Sequence, residues 1–251
     1  MTIVLAALGA DACAQPVLNT TIALAELFDG TAAALHVREN GPGSPQAQAA
    51  AAGVELRETA GDVIEEIVAA ARDPDVAALV LGARGVHGGP RPAGHTALKV
   101  ITRVTKPVAV VPPRARMPQQ LTRILVPLEG TSESSFALEE TVELAQRRKL
   151  EILALHIHSP ATVPAFSDHE PHGTLAWEDE FLTRYVTIPH ERVKLFRRLG
   201  VPADDVVTVA HSTSAELIVL AWSQKLSAGR ARVVSETLAR SEVPVLLIPT
   251  A

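Results

Sequence analysis

The chain has 251 residues, of which 47% are hydrophobic and only 3% aromatic, so its core must be built mainly from Ala, Val, Leu and Ile. The formal net charge is −5 and no Lys/Arg cluster marks a surface, which argues against nucleic acid as a partner. Cys13 is the only cysteine, which excludes an internal disulfide and fits a reducing, cytoplasmic location. No apolar run is long enough to span a membrane, and the first run indicates a strand rather than a signal peptide.

Apolar runs alternate with segments of helical spacing along the first 111 residues. The predicted strands are 4–8, 31–37, 54–59, 76–81 and 107–111. The predicted helices are 14–28, 46–52, 63–72 and 96–105, with Asp62 capping the third. This alternation predicts an α/β fold with a parallel sheet and right-handed crossovers. A proline-rich segment, 112–118, is expected to be a linker.

A glycine-rich loop separates the fourth strand from the following helix. Its glycines are Gly82, Gly85, Gly88, Gly89 and Gly94. Glycine lets backbone N–H groups turn toward a ligand, and the first turn of a helix adds unpaired donors and a partial positive charge. The loop therefore favours phosphate binding, and a plain structural connector is the alternative.

The pattern repeats after the linker, and the two copies can be matched residue by residue. The offset is 120 from the first strand through the second, as between Ala34-Leu-His-Val37 and Ala154-Leu-His-Ile157. It becomes 139 afterwards, as between Gly61 and Gly200, because the second copy gains a segment at about 159–190. It is 137 at the end, where 107–112 matches 244–249. The sequence thus predicts a tandem repeat.

These features resemble the universal stress protein family in its tandem two-domain form. The resemblance rests on Ile124-Leu-Val-Pro-Leu-Glu-Gly-Thr-Ser132, the two Leu-His strand ends, Val80-Leu-Gly-Ala-Arg-Gly85 and the terminal apolar strands of both copies. It implies two doubly wound domains, 1–112 and 119–251, each a five-stranded parallel sheet of order 3-2-1-4-5. Ligands of such sheets bind where the order reverses, here between the first and fourth strands.

The exposed last strands of the two copies need to be covered. We therefore expect 107–112 and 244–249 to meet as a pseudo-dimer within one chain. Two chains could associate further as a homodimer, which the sequence does not decide.

ATP-binding members of the family carry G-x2-G-x9-G-[S/T] after the fourth strand and an acidic residue after the first. The first copy keeps Gly82, Gly85 and Gly94, but its loop is one residue short. His95 stands at the Ser/Thr position, and Thr96 follows it. The resemblance implies that these residues hold phosphates, with Arg84 as an additional cationic contact, and that Val37 faces the base. Gly9 occupies the acidic position, with Asp11 two residues away.

The second copy departs further from the motif. Ala221, Gln224 and Ala231 stand at the three glycine positions, although Glu129 keeps the acid after the first strand. A Cβ at those positions hinders a close approach of the backbone to phosphate. We expect the second copy to be largely structural.

Three other features favour structural interpretations. Cys13 lacks a catalytic signature and is expected to be a small packed residue. The group His156, His158, Asp168, His169, Glu170 and His172 indicates a loop rather than a metal site, and His156 matches His36, which indicates a structural role. Trp177, Phe181 and Tyr185 form a stripe on a predicted helix, 175–186, as a cover for the sheet or a partner surface.

The sequence predicts a cytoplasmic stress-response regulatory protein that binds an adenine nucleotide (ATP, ADP or AMP), with Mg²⁺ as the accompanying cation. No catalytic motif is visible, so we expect no enzyme, and Gly9 at the acidic position argues against slow ATP hydrolysis. The alternative is a nucleotide-independent interaction module that acts through protein partners. The two differ in whether the shortened loop leaves room for phosphates.

Overall fold

The computed structural model describes residues 1–9, 14–38, 44–83, 93–115, 117–118, 120–128, 132–146, 148, 150–158, 182, 192–225 and 231–250. The first repeat contains β1 (Ile3–Ala7), α1 (Ala14–Leu27), β2 (Thr31–Arg38), α2 (Gln46–Ala51), β3 (Glu55–Ala60), α3 (Val63–Ala71), β4 (Val76–Gly82), α4 (His95–Ile101) and β5 (Val108–Val111). The second contains β6 (Arg123–Pro127), α5 (Ser132–Gln146), β7 (Glu151–His158), β8 (Val193–Leu199), α6 (Pro202–Ser212), β9 (Leu217–Trp222), α7 (Arg232–Arg240) and β10 (Val245–Pro249).

The helix boundaries follow from side-chain hydrogen bonds. Asp62 caps α3 as predicted, because its carboxylate accepts from the backbone N–H groups of Ile64 and Glu65 at 3.0 Å. Helix α4 ends at Ile101, earlier than the predicted residue 105. At this end the single proton of the Thr102 hydroxyl is shared between the Leu98 carbonyl at 3.2 Å and the Lys99 carbonyl at 3.0 Å.

All ten described strands form one sheet, in the order β3-β2-β1-β4-β5-β10-β9-β6-β7-β8. Each half therefore has the predicted order 3-2-1-4-5, counted from its own outer edge. The strands within each half are parallel, and the two halves meet through the antiparallel pair β5 and β10. The predicted α/β class is confirmed, and the two five-stranded sheets are joined into one.

The strand registers reproduce the offsets of the internal repeat. Leu5 pairs with Leu79, and Leu125 pairs with Ile218. The first partners differ by 120 and the second by 139, which are the offsets that the sequence alone indicates. On the other side of the fourth strand, Leu79 pairs with Val108 and Ile218 with Val245, which reproduces the final offset of 137. Equivalent residues thus occupy equivalent places in the two sheets.

The junction between the halves has pseudo-twofold symmetry. Ala109 of β5 pairs with Leu246 of β10, and these two residues are each other's counterparts in the repeat. Val108 pairs with Leu247 and Val110 with Val245, so the pairs on either side are exchanged by the same rotation. The expected meeting of the two last strands is confirmed, and this junction completes the intrachain pseudo-dimer.

Two apolar cores cover the faces of the sheet, and each runs through both repeats. One core contains buried residues of α3, α4, α6 and α7, and the other contains buried residues of α1 and α5. Leu247 belongs to the first core and Leu246 to the second, since side chains alternate along a strand. The linker also packs on the protein, with Ala115 and Met117 buried. The two repeats therefore share their cores.

Helix α5 carries a carboxyl group whose ionisation opposes folding. Partial burial raises the pKa of Glu140, and the charges of Glu143 and Glu139 raise it further. The folded chain therefore holds this proton more tightly than the unfolded chain, and the resulting stability is lost as the pH rises through the raised pKa.

We expect Glu140→Gln to raise the free energy of unfolding at pH 7 by about 0.3 kcal/mol, because it removes the like-charge repulsion along the helix. At about pH 3, below the ordinary glutamate pKa, the two proteins should have equal stability. Urea unfolding at both pH values measures the difference. A gain of the same size at both would show that charge is not its cause.

Candidate functional site

The candidate site is the crevice at the carboxyl ends of β1 and β4 in the first repeat. Strand β1 lies between β2 and β4, and α1 and α3 pass over opposite faces of the sheet, so the connections diverge here. The structure brings Gly9, after β1, and Gly82, at the end of β4, to this edge. It places Gly94, His95 and Thr96 at the beginning of α4, beside the end of β4.

The first turn of α4 has backbone N–H groups without an acceptor inside the helix. Gly94 is its N-cap residue and makes no side-chain cap, and Leu98 is the first residue that donates into the helix, to the Gly94 carbonyl at 3.0 Å. The backbone N–H groups of His95, Thr96 and Ala97 therefore lack intrahelical acceptors. The side chains of His95 and Thr96 are exposed. These N–H groups are left for an acceptor outside the helix.

Short backbone contacts hold α4 against the end of β4. The Gly94 N–H donates to the Ala83 carbonyl, and the Ala83 N–H donates to the Val111 carbonyl at 2.7 Å. Ala93 and Ala97 are buried on either side of Gly94. The first turn of α4 is consequently fixed relative to β4 and β5.

A buried histidine holds the other side of the crevice. His36 Nδ1 donates to the Leu8 carbonyl at 2.9 Å, which requires the proton on Nδ1 because a carbonyl oxygen only accepts. The Leu8 N–H in turn donates to the Leu35 carbonyl at 2.9 Å. His156 makes the equivalent bond to the Leu128 carbonyl at 2.8 Å. The predicted structural role of this histidine pair is confirmed.

Val37 lies one residue from the end of β2 and is only 6% exposed, within the core on the α3 and α4 side. The role of its side chain toward a base stays a prediction. Asp11, Arg84, Gly85 and Arg91 lie outside the described residues. So do Cys13, Glu129, the 159–172 part of the histidine cluster and the aromatic stripe of Trp177, Phe181 and Tyr185.

The corresponding region of the second repeat is built differently. Gln224 and Ala231, at two of the glycine positions, have φ values of 59° and 54°, a left-handed conformation that glycine adopts without strain. Trp222 is 2% exposed, and its Nε1 donates to the Ile101 carbonyl of α4 at 3.0 Å. Gln224 Nε2 donates to the Val104 carbonyl. Sequence reasoning missed this contact, although Trp222 stands where the first repeat has Ala83.

A cavity of about 850 Å³ lies away from the crevice, between the linker and the second repeat, and its wall includes Met117, Ala210, Ser241 and Val243. Two polar side chains of its wall already have partners. The Ser241 hydroxyl donates to the Val243 carbonyl at 2.6 Å, and Arg240 pairs with Asp204 at 3.0 Å. The crevice, where the strand order reverses beside two glycines, is the stronger candidate.

The sequence profile of the universal stress protein family matches residues 44–112 and again residues 120–249. The chain belongs to the universal stress protein family. The two matches agree with the tandem form, and the strands of the unmatched residues 1–43, β1 and β2, pair in the same way as β6 and β7. No curated protein sequence matches the chain.

Two solved structures have the same fold along nearly the whole chain. A universal stress protein from Archaeoglobus fulgidus is 15% identical, with a TM-score of 0.65 over 99% of this chain and 96% of its own. A protein of unknown function from Pseudomonas aeruginosa is 12% identical, with a TM-score of 0.67 over 99% and 92%. These likenesses show the fold of a tandem universal stress protein.

The described part of this family member has two further properties. None of its helices is both long and apolar enough to cross a membrane. Within the same residues, no three side chains of His, Cys, Asp or Glu are grouped as metal ligands would be.

Proposed function

We propose that this universal stress protein is a non-catalytic, cytoplasmic regulatory protein that binds an adenine nucleotide in its first repeat. The observation that carries the proposal is the reversal of strand order at the ends of β1 and β4, where Gly82 and Gly94 lie beside each other. Family membership supports the same crevice as the ligand site. We propose residues 1–112 and 119–251 as its two domains.

The nucleotide would lie along the crevice with its phosphates toward α4. The backbone N–H groups of His95, Thr96 and Ala97 would donate to phosphate oxygens, with Gly82 and Gly94 leaving room for close approach. Gly85 and the cationic Arg84 would complete the phosphate contacts, and the base would lie toward Val37. Gly9 and Asp11 would border the sugar, and Mg²⁺ would neutralise part of the phosphate charge.

The first repeat is the better candidate of the two. Glycine remains at the end of β4 and at the cap of α4, whereas Ala221 and Ala231 carry a Cβ at those positions in the second repeat. The side chains of Trp222 and Gln224 are moreover engaged with the first repeat. The second repeat would therefore contribute structure rather than a second nucleotide site.

Substituting the cap of α4 tests the proposal. We expect ATP, ADP or AMP to bind the purified protein in calorimetry with Mg²⁺, and Gly94→Asp to weaken binding by about a hundredfold or more, because a carboxylate would occupy the phosphate position. The backbone of Gly94 is extended, with φ −62° and ψ 157°, and aspartate is a favoured N-cap, so the variant should fold.

The matched control is Ala231→Asp, the same change at the cap of α7. The left-handed φ of 54° is tolerated by aspartate, and nucleotide binding should be unchanged if the first repeat is the site. Equal losses in both variants would contradict the assignment to the first repeat. Absence of binding up to millimolar nucleotide would refute the proposed function and favour the nucleotide-independent interaction module.

A further inference from the structure

Helix α4 joins the crevice of the first repeat to the second repeat. At one end the Gly94 N–H donates to the Ala83 carbonyl at the end of β4. At its other end, the carbonyls of Ile101, the last helical residue, and of Val104, three residues further on, accept from Trp222 and Gln224 of the second repeat. Seven helical residues span about 10 Å at 1.5 Å per residue, so the two ends are separated by less than two turns.

The last carbonyl group of α4 accepts its hydrogen bond from the second repeat. The Thr102 hydroxyl is shared between the Leu98 and Lys99 carbonyls, and the Val100 carbonyl accepts from the Arg103 and Val104 N–H groups at 2.9 and 3.0 Å. The carbonyls up to Val100 thus accept from donors of the same segment of the chain. The Ile101 carbonyl is next, and its donor is the Trp222 indole at 3.0 Å.

The contact is buried from water. Ile101 is fully buried, Trp222 is 2% exposed, and both belong to the core that the two repeats share. If α4 moves, water therefore cannot take the place of the indole N–H as the donor to the Ile101 carbonyl. A hydrogen bond in such surroundings is strongly restrained in geometry. A displacement of α4 must accordingly be accommodated by Trp222.

The pseudo-twofold counterpart of this contact is missing from the first repeat. Trp222 corresponds to Ala83 and Gln224 to Gly85, and neither counterpart has a side chain that could donate to α7. From the positions where the first repeat keeps the small residues of its candidate site, the second repeat thus contacts the last residue of α4 and the segment just after it. The second repeat has therefore lost the glycine motif in the same loop from which it contacts the first repeat.

We propose that Trp222 and Gln224 couple the second repeat to the nucleotide site of the first, so that the second repeat sets the affinity of that site. This inference rests on the proposed function. Because Trp222 donates to the last carbonyl of α4, a shift of α4 on nucleotide binding changes the surroundings of Trp222. The second repeat is then a regulatory element rather than a second binding site.

Tryptophan fluorescence measures this coupling directly. The chain has two tryptophans, so Trp177→Phe leaves Trp222 as the only source of tryptophan fluorescence. Titration of this variant with MgATP should change the emission of Trp222 over the same concentrations that calorimetry reports for binding. Gly94→Asp in the same background should abolish the change.

The complementary test removes the indole N–H. We expect Trp222→Phe, which keeps a packed ring, to change the dissociation constant of MgATP by about fivefold. Val219→Ala is the matched control, because this residue is 1% exposed on the same strand but faces the opposite core. It should lower stability and leave nucleotide affinity unchanged.

The outcomes separate the two proposals. Calorimetric binding with a silent Trp222 and an unchanged affinity in Trp222→Phe would overturn the coupling and leave the proposed function intact. Equal affinity changes in Trp222→Phe and Val219→Ala would assign the effect to general destabilisation and also overturn it. No MgATP binding by the unmodified protein would overturn both proposals.

Discussion

Leu246→Ala should lower the free energy of unfolding by about 2–5 kcal/mol. Leu246 is 1% exposed and pairs with Ala109 at the pseudo-twofold axis, in a core that contains side chains of both repeats. Truncation leaves a cavity that the rigid sheet around it cannot close, since β10 has a strand on each side. Urea unfolding followed by circular dichroism measures the loss. A single transition is expected because the cores are shared.

Leu199→Ala is the control for this prediction. Leu199 lies at the end of β8, at the outer edge of the sheet, and is 68% exposed. The same atoms are removed there without creating a buried cavity, so the change should stay within about 0.5 kcal/mol. Two separate unfolding transitions in Leu246→Ala would show instead that the repeats unfold independently, contrary to the shared cores.

His36→Leu is the second substitution with a large expected effect, a loss of about 1–3 kcal/mol. Leucine fills much of the volume but removes the donor to the Leu8 carbonyl, which then remains buried without that hydrogen bond. The bond holds the ends of β1 and β2 together directly before Gly9. Nucleotide binding should therefore weaken along with stability, and urea unfolding and calorimetry measure the two effects.

Asparagine provides the test of the donor itself. The amide of His36→Asn can place an N–H near the position of Nδ1, so this variant should recover part of the lost stability. If His36→Asn and His36→Leu are equally unstable, packing of the imidazole ring rather than its hydrogen bond maintains the crevice.

Much of the fold could be predicted from the sequence because the chain contains two copies of one pattern, which can be aligned with each other. Constant offsets between the copies match Ala34 with Ala154 and Gly61 with Gly200 from the order of residues alone. The strand registers agree with those offsets. Alternation of apolar runs and helical spacing was sufficient to predict a parallel sheet with helical crossovers, and the family resemblance added the doubly wound order.

The candidate site was predicted less completely. The glycine spacing identified Gly82 and Gly94, and the repeated Leu-His strand ends identified His36 and His156 as structural. The acceptor of each histidine, a carbonyl 28 residues earlier in the chain, was not predictable because it depends on how β1 and β2 align at their ends.

The sequence by itself determined the repeat and the alternation of strands and helices, because these depend on patterns within each copy, and its motifs carried the family resemblance that implied the strand order. The sequence predicted that the two last strands meet, and only the tertiary structure decided their antiparallel direction and register. The antiparallel pairing of β5 with β10 brings the carboxyl end of β9 beside the carboxyl end of α4, and so places Trp222 against Ile101. These residues are 121 positions apart, and no local pattern relates them. Contacts across a pseudo-twofold axis arise from the geometry of the whole sheet, which appears only when both halves are folded together.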